Sequence, residues 1–173
     1  MASKLRILIA YYSYTSRVER LALQLSSCLS RAHEVTLAPI RPLRRRSYWN
    51  WLARSFVPGS TVAIEPLGFR VQGFDRVCLG FPKWTLSCPP FTRFLKTLPH
   101  RSEVGLALFM AYGGFDEDRF FRSMIRKAQT RGRVVARLAV KRSHVDSPAC
   151  EAAVQAFCEA VIAAANPEFH FKL

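Results

Sequence analysis

This sequence is short of acid. Asp and Glu supply 12 of 173 residues against 26 Lys and Arg, giving a formal net charge of +14. The excess is concentrated. From Arg119 to Arg142 there are nine Arg or Lys and no acid, and Arg41, Arg44, Arg45 and Arg46 form a second group. Such an imbalance speaks to partners and solubility, not to fold. It suits an acidic partner, with nucleic acid or anionic lipid as further possibilities, and otherwise it is simply a solvated face. No helix-turn-helix, RNA-recognition or finger signature is present, which disfavours nucleic acid.

Long apolar runs are also missing. The uncharged stretch Val104 to Phe115 is too short for the ~20 residues of a membrane helix. The opening MASKLRILIAYYSYTS is rich in β-formers and lacks a small-residue cleavage site, so it reads as a strand and not as a signal peptide. Five cysteines stand at 28, 78, 88, 150 and 158, with no C-x-x-C and no histidine at ligand spacing, which argues against zinc. Cys150 and Cys158 share a predicted helix face but lie ~12 Å apart, beyond disulfide reach. Scattered thiols of this kind point to a reducing cytoplasm. No acid–base pair or nucleophile–histidine arrangement supports hydrolysis. The histidines, His33, His100, His144 and His170, are scattered and expected at surface or boundary positions. No repeat, low-complexity tract or linker divides the chain, so a single domain spanning 1–173 is expected.

What is present is a regular alternation. Half of the residues are hydrophobic, enough to make disorder a poor default. Residues 5–12 (LRILIAYY) form a near-continuous apolar run, the mark of a parallel strand covered on both faces. Val18, Leu21, Ala22, Leu25, Cys28 and Leu29 then follow helical spacing. Further strands are predicted at 34–38, 76–81, 104–110 and 133–140, with helices over 90–97, around Phe120 to Ala128, and after Pro148 until Asn166-Pro167. Pro at a helix start and Ser147 or Asp146 before it are standard N-terminal signals. Residues 39–73, with scattered prolines and aromatics, fit no clear pattern beyond a short basic amphipathic helix in RRRSYWNWLARSF. Five strands alternating with helices predict an α/β three-layer αβα sandwich on a five-stranded parallel sheet.

In such sheets ligands bind beyond the carboxyl ends of the strands. Three loops leave those ends, at residues 13–18, 82–89 and 111–115. Residues 13–18 turn directly into a helix, where free N–H groups and the dipole make an anion site. Ser13, Thr15 and Ser16 add hydroxyls beside Tyr14 and Val18, and Arg17 adds a charge that pairs with phosphate. Helix capping alone would also explain one of these hydroxyl residues. The second loop, Pro82, Lys83, Trp84, Thr85 and Leu86, offers an aromatic for stacking on a planar ring, or a packing residue. The third, Tyr112, Gly113, Gly114 and Phe115, brings glycines that let backbone approach a ligand, or a flexible turn. The clusters Arg44, Arg45 and Arg46, and Arg122, Arg126 and Lys127, are expected to lie away from these loops.

The segments YYSYTSRVERLA, GFDRVCLGFPKWTLSCPPFTRFL and VGLALFMAYGG, in that order, resemble the flavodoxin family. The resemblance implies strand order 2-1-3-4-5 with FMN at the switch point. The family's phosphate loop commonly reads S/T-x-T-G-x-T. Ser13 and Thr15 match it, Ser16 stands where glycine is usual, and Val18 replaces the last hydroxyl residue, while Arg17 supplies a donor. By the same resemblance, the loops at Trp84 and at Tyr112 to Phe115 flank the flavin ring. The implied function is an FMN-binding redox protein: an electron carrier, or a flavin-dependent reductase of a quinone or metal chelate using NAD(P)H. Its counterpart would be an acidic redox partner protein or a small-molecule electron acceptor. The rival expectation is a flavodoxin-fold binding module that has lost FMN and uses its basic surface.

Overall fold

The fold was obtained as a computed structural model, which describes residues 4–68, 70–100, 102–163 and 169–172. All five expected strands are present: β1 (Arg6–Tyr11), β2 (Glu34–Pro39), β3 (Arg76–Pro82), β4 (Ser102–Tyr112) and β5 (Gly132–Lys141). They pair in parallel in the order β2-β1-β3-β4-β5. A sixth strand, β6 (Phe169–Lys172), extends the sheet beyond β5, in parallel register with Ala136 to Ala139. Sequence periodicity does not reveal it because four residues carry too little pattern.

The helices are α1 (Arg17–Leu29), α2 (Tyr48–Ser55), α3 (Pro89–Thr97), α4 (Glu117–Gln129) and α5 (Pro148–Ala163). The predicted helix end at Asn166-Pro167 lies outside the described residues. Strand residues alternate between two cores, as the period of two requires. Ile7, Ile9 and Tyr11 pack with Leu21, Leu25 and Phe157 under α1 and α5. Leu8, Ala10 and Tyr12 pack with Phe91, Phe94 and Met124 under α3 and α4. The first of these cores leaves no room at Gly80 in β3, where a Cβ would fall 2.2 Å from the Phe109 ring and 2.8 Å from Tyr11 Cβ. At the start of α5 it is Ser147, not Asp146, that caps: its Oγ accepts the Cys150 N–H at 3.2 Å.

Within 39–73 the basic helix forms as α2, with Trp51 and Ser55 buried. Pro42 and Ile64 make an isolated antiparallel bridge, which closes the segment into a loop around the helix. All five cysteines are free thiols. His33 departs from expectation: it is buried, and its Nδ1 accepts the Leu5 N–H at 3.3 Å. Among the described residues no helix is long and apolar enough to cross a membrane, and no cluster of His, Cys, Asp and Glu could hold a metal ion.

Candidate functional site

β1, β3 and β4 are neighbours in the sheet, so the loops following them emerge side by side at its carboxyl edge. A cleft of about 290 Å³ lies between them, near the lower end of ordinary small-molecule sites (roughly 300–1,000 Å³). Of the candidate residues, Ser13, Tyr14, Thr15, Arg17, Val18, Pro82, Lys83, Trp84, Thr85, Tyr112, Gly113 and Gly114 line it. Ser16, Leu86 and Phe115 do not. The Ser16 hydroxyl turns back to donate to the Thr15 carbonyl at 2.7 Å. Leu86 is held by its N–H on the Ser55 carbonyl at 2.9 Å, and Phe115 stands 87% exposed on the rim.

The first loop is arranged as an anion cradle. Ser16, immediately before α1, has φ 58° and ψ −6°. This is the left-handed conformation that favours glycine, so the serine takes up the geometry of the residue it replaces. Among the described residues, none of the backbone N–H groups from Tyr14 to Val18 meets a protein acceptor. They are left for a ligand or for water, at the positive end of α1. Capping falls to Ser13, whose Oγ accepts the Glu19 N–H at 3.3 Å. That leaves the Thr15 hydroxyl uncommitted. Arg17 reaches Asp146 only at 3.4 Å, because Arg20 holds the same carboxylate oxygen at 2.7 Å. Val18 is buried in the core beneath α1, so the hydroxyl it displaces is exchanged for packing.

The second loop carries the aromatic wall. Trp84 meets Tyr14 edge-on at 5.7 Å, Tyr48 at 6.0 Å with 33° between planes, and Trp51 at 6.3 Å. Two of these partners come from α2, in the segment whose sequence fits no clear pattern. Tyr48 and Leu52 of α2 line the cleft themselves.

In the third loop the Arg142 side chain crosses Gly113 so closely that a Cβ there would sit 2.4 Å from its Nε. The Arg142 N–H is bonded to the Tyr112 carbonyl at 2.6 Å. Lys83 Nζ lies 3.7 Å from where a Gly114 Cβ would stand, and 5.8 Å from the Phe115 ring centroid. Two cations therefore flank the double glycine. Arg142, the last residue of the basic stretch from Arg119, borders the cleft, whereas Arg122, Arg126 and Lys127 do not line it.

A second cleft, of about 670 Å³, shares Ser13 and Tyr14 with the first and is bordered by Arg41, Arg45 and Arg46, with Glu19 and Glu65. The 41–46 group thus also adjoins the first loop. The Tyr11 hydroxyl, on this cleft, titrates above the ordinary phenol range because it is buried and faces the Glu19 carboxylate. Burial likewise raises Tyr12. Both remain hydrogen-bond donors at neutral pH.

A protein of Archaeoglobus fulgidus described as uncharacterized is 35% identical over 113 residues, 64% of this chain and 68% of its own. The chain belongs to the same family. No protein-family model matches it. Among solved structures, one from Bacteroides eggerthii, provisionally described as a flavoprotein, aligns with TM-score 0.68 at 19% identity, over 91% of this chain and 98% of its own. A Lactobacillus acidophilus flavoprotein in complex with FMN aligns with TM-score 0.61 at 16% identity, over 82% and 97%. Oxidised flavodoxin 2 of Bacillus cereus aligns with TM-score 0.61 at 16% identity, over 90% and 97%. The fold is therefore flavodoxin-like, and the carboxyl-edge cleft occupies the switch point of that fold between β1 and β3.

Three cleft residues escape the sequence reading, Tyr48, Leu52 and Arg142, while Ala111 falls within the expected 111–115 loop. Ala111 and Tyr112 belong not to the loop but to the end of β4, which runs to Tyr112 and not to 110. Arg142 follows from register, since Tyr112 pairs with Lys141 at the strand ends.

Proposed function

We propose that the protein binds FMN in the carboxyl-edge cleft and exchanges electrons through it with an acidic partner protein or a small-molecule acceptor. The observation that carries the reading is the first loop. A run of backbone amides without protein acceptors opens α1, with the Thr15 hydroxyl and the Arg17 guanidinium beside it. That donor set suits a phosphate monoester. Ser16 keeps the left-handed turn, so the departures from the family's loop do not spoil the cradle.

The remaining residues fit a flat, partly apolar ring. Trp84 and Tyr48 offer aromatic surface on one side, and on the other Gly114 leaves the backbone open beside Gly113 and the Arg142 side chain that crosses it. FMN, when bound, supplies the redox chemistry, and the protein binds, orients and tunes it. Lys83 and Arg142 would favour negative charge near the glycine turn. The +14 net charge directs the protein towards acidic counterparts, with rates that fall as salt rises.

The deciding experiment is titration of purified protein with FMN, followed by flavin fluorescence and absorption, alongside riboflavin. FMN should bind at least about tenfold more tightly than riboflavin, since only FMN engages the phosphate cradle, and Thr15→Ala or Arg17→Ala should narrow that gap by ~1 kcal/mol or more. Equal affinities would mean that the loop does not read phosphate. No uptake of either would leave a flavodoxin-fold binding module working through its basic surface.

A further inference from the structure

We propose that the face carrying α2 docks the protein reversibly on an anionic lipid surface. The argument begins with the angular arrangement of that helix, at 100° per residue. Trp51 and Ser55 point into the core. Tyr48 and Leu52 line the cleft. Trp49 and Phe56, seven residues apart, fall on one outward stripe, 74% and 58% exposed. The next stripe is basic: Arg46 and Arg54 both donate to the Asn50 side-chain oxygen, at 3.4 and 3.2 Å. Around the helix the order is thus core, cleft, apolar and basic.

The apolar stripe is not isolated. Apart from Leu23 in α1 and Ile162 in α5, every exposed large hydrophobic residue described lies in segment 43–57 or in one of the three cleft loops. Single exposed apolar side chains are ordinary, but a concentration around one site marks an interaction surface. Charge identifies the kind. From Ile40 to Ile64 there are five arginines and no acid. Arginines beside aromatics also occur at protein interfaces, but a patch of one sign with no acid in it is complementary to a uniformly anionic surface. Protruding Trp and Phe bordered by uniform positive charge match instead the make-up of segments that lie in the headgroup region of a membrane. Because Tyr48 and Leu52 adjoin Trp49 and Phe56 on the helix, docking sets the cleft mouth at headgroup level. An acceptor dissolved in the lipid would then reach it, a consequence that rests on the flavin reading. The docking itself does not.

The test uses the intact protein, with and without added FMN, sedimented with vesicles of phosphatidylcholine alone or mixed with phosphatidylglycerol. Binding is expected to the mixed vesicles only, with a blue shift of Trp fluorescence, and to weaken as salt rises. Each arginine near an anionic surface is worth about a fivefold change in partitioning, so Arg44, Arg45 and Arg46 changed together to Gln should cost roughly a hundredfold. Trp49→Ser with Phe56→Ser should also abolish sedimentation, whereas Leu23→Ser should not alter it, with circular dichroism confirming the fold of each. No sedimentation with anionic vesicles at low salt overturns the proposal. So does binding that survives the Trp49 and Phe56 changes, or retention by polyglutamate in place of vesicles. None of these outcomes depends on FMN uptake.

Discussion

The hydroxyls of Ser55 and Thr85 meet at 2.6 Å, joining α2 to the loop that carries Trp84. Ser55 is fully buried and donates in turn to the Leu52 carbonyl at 2.6 Å, which makes Thr85 the donor in the pair. Its own carbonyl accepts the Leu86 and Ser87 N–H groups at 2.9 and 3.0 Å. One small polar residue thus fixes the helix that supplies Tyr48 to the aromatic wall. Ser55→Ala would leave the Thr85 hydroxyl without its acceptor, at a cost of roughly 1–2 kcal/mol in denaturant unfolding. FMN affinity should fall several-fold with it. Combining Ser55→Ala with Thr85→Val should cost less than the sum of the two; strict additivity would show that the contact contributes nothing.

Ser16 stores backbone strain that glycine would not. A non-glycine residue in the left-handed region costs on the order of 1 kcal/mol, partly offset by the greater freedom glycine has when unfolded. Ser16→Gly should therefore raise stability by up to about 1 kcal/mol and leave FMN affinity unchanged or improved. Ser16→Val should lower both, because a β-branched residue at φ 58° forces the turn to move. A loss of FMN binding in the glycine variant would mean that the serine hydroxyl, and not the turn, matters to the site.

The sheet and its carboxyl-edge loops were legible because they are written in local periodicity. LRILIAYY can only be a buried strand if helices cover both faces, and that fixes which ends of the strands bear loops. The contribution of α2 was not legible. Tyr48 and Leu52 reach the cleft because the buried Ser55 docks the helix on the loop after β3, a contact 30 residues apart in sequence. Arg142 was hidden for a similar reason. In the chain it closes a long basic stretch and reads as solvated surface. Only the pairing of Tyr112 with Lys141 brings it over Gly113.

The cysteines differ in reactivity by burial. Burial pushes the thiols of Cys78 and Cys88 up to about 12, and that of Cys150 to about 11, with Asp146 and Glu151 adding to the last. Cys158 is raised further by burial and by its hydrogen bond with Cys28. Thiolate, the reactive form, is therefore scarce at these four near neutral pH. Cys28 is the partly exposed one. Iodoacetamide on the folded protein at neutral pH should label Cys28 alone, and all five after unfolding, as read by peptide mass mapping. Rapid native labelling of Cys88 would show that the core under α3 opens locally.

Gly113 and Arg142 should behave as one unit in tuning a bound flavin. A methyl group at 113 would come 2.4 Å from Arg142 Nε and 2.7 Å from its Cζ. The guanidinium is the mobile end of a long side chain, so Gly113→Ala is expected to displace it, not to break the strand, with stability reduced by less than about 1 kcal/mol. Removing a cation from the site should lower the reduction potential of bound FMN, on the order of tens of millivolts in a partly solvated cleft. Arg142→Met should do the same directly, and Lys83→Met should lower the potential independently. The check is potentiometric titration of the three variants and of Gly113→Ala combined with Arg142→Met. If Gly113 acts through Arg142, the double variant has the potential of Arg142→Met alone. An additive shift would show that the glycine serves backbone approach to the ligand, and that the arginine crossing it is incidental.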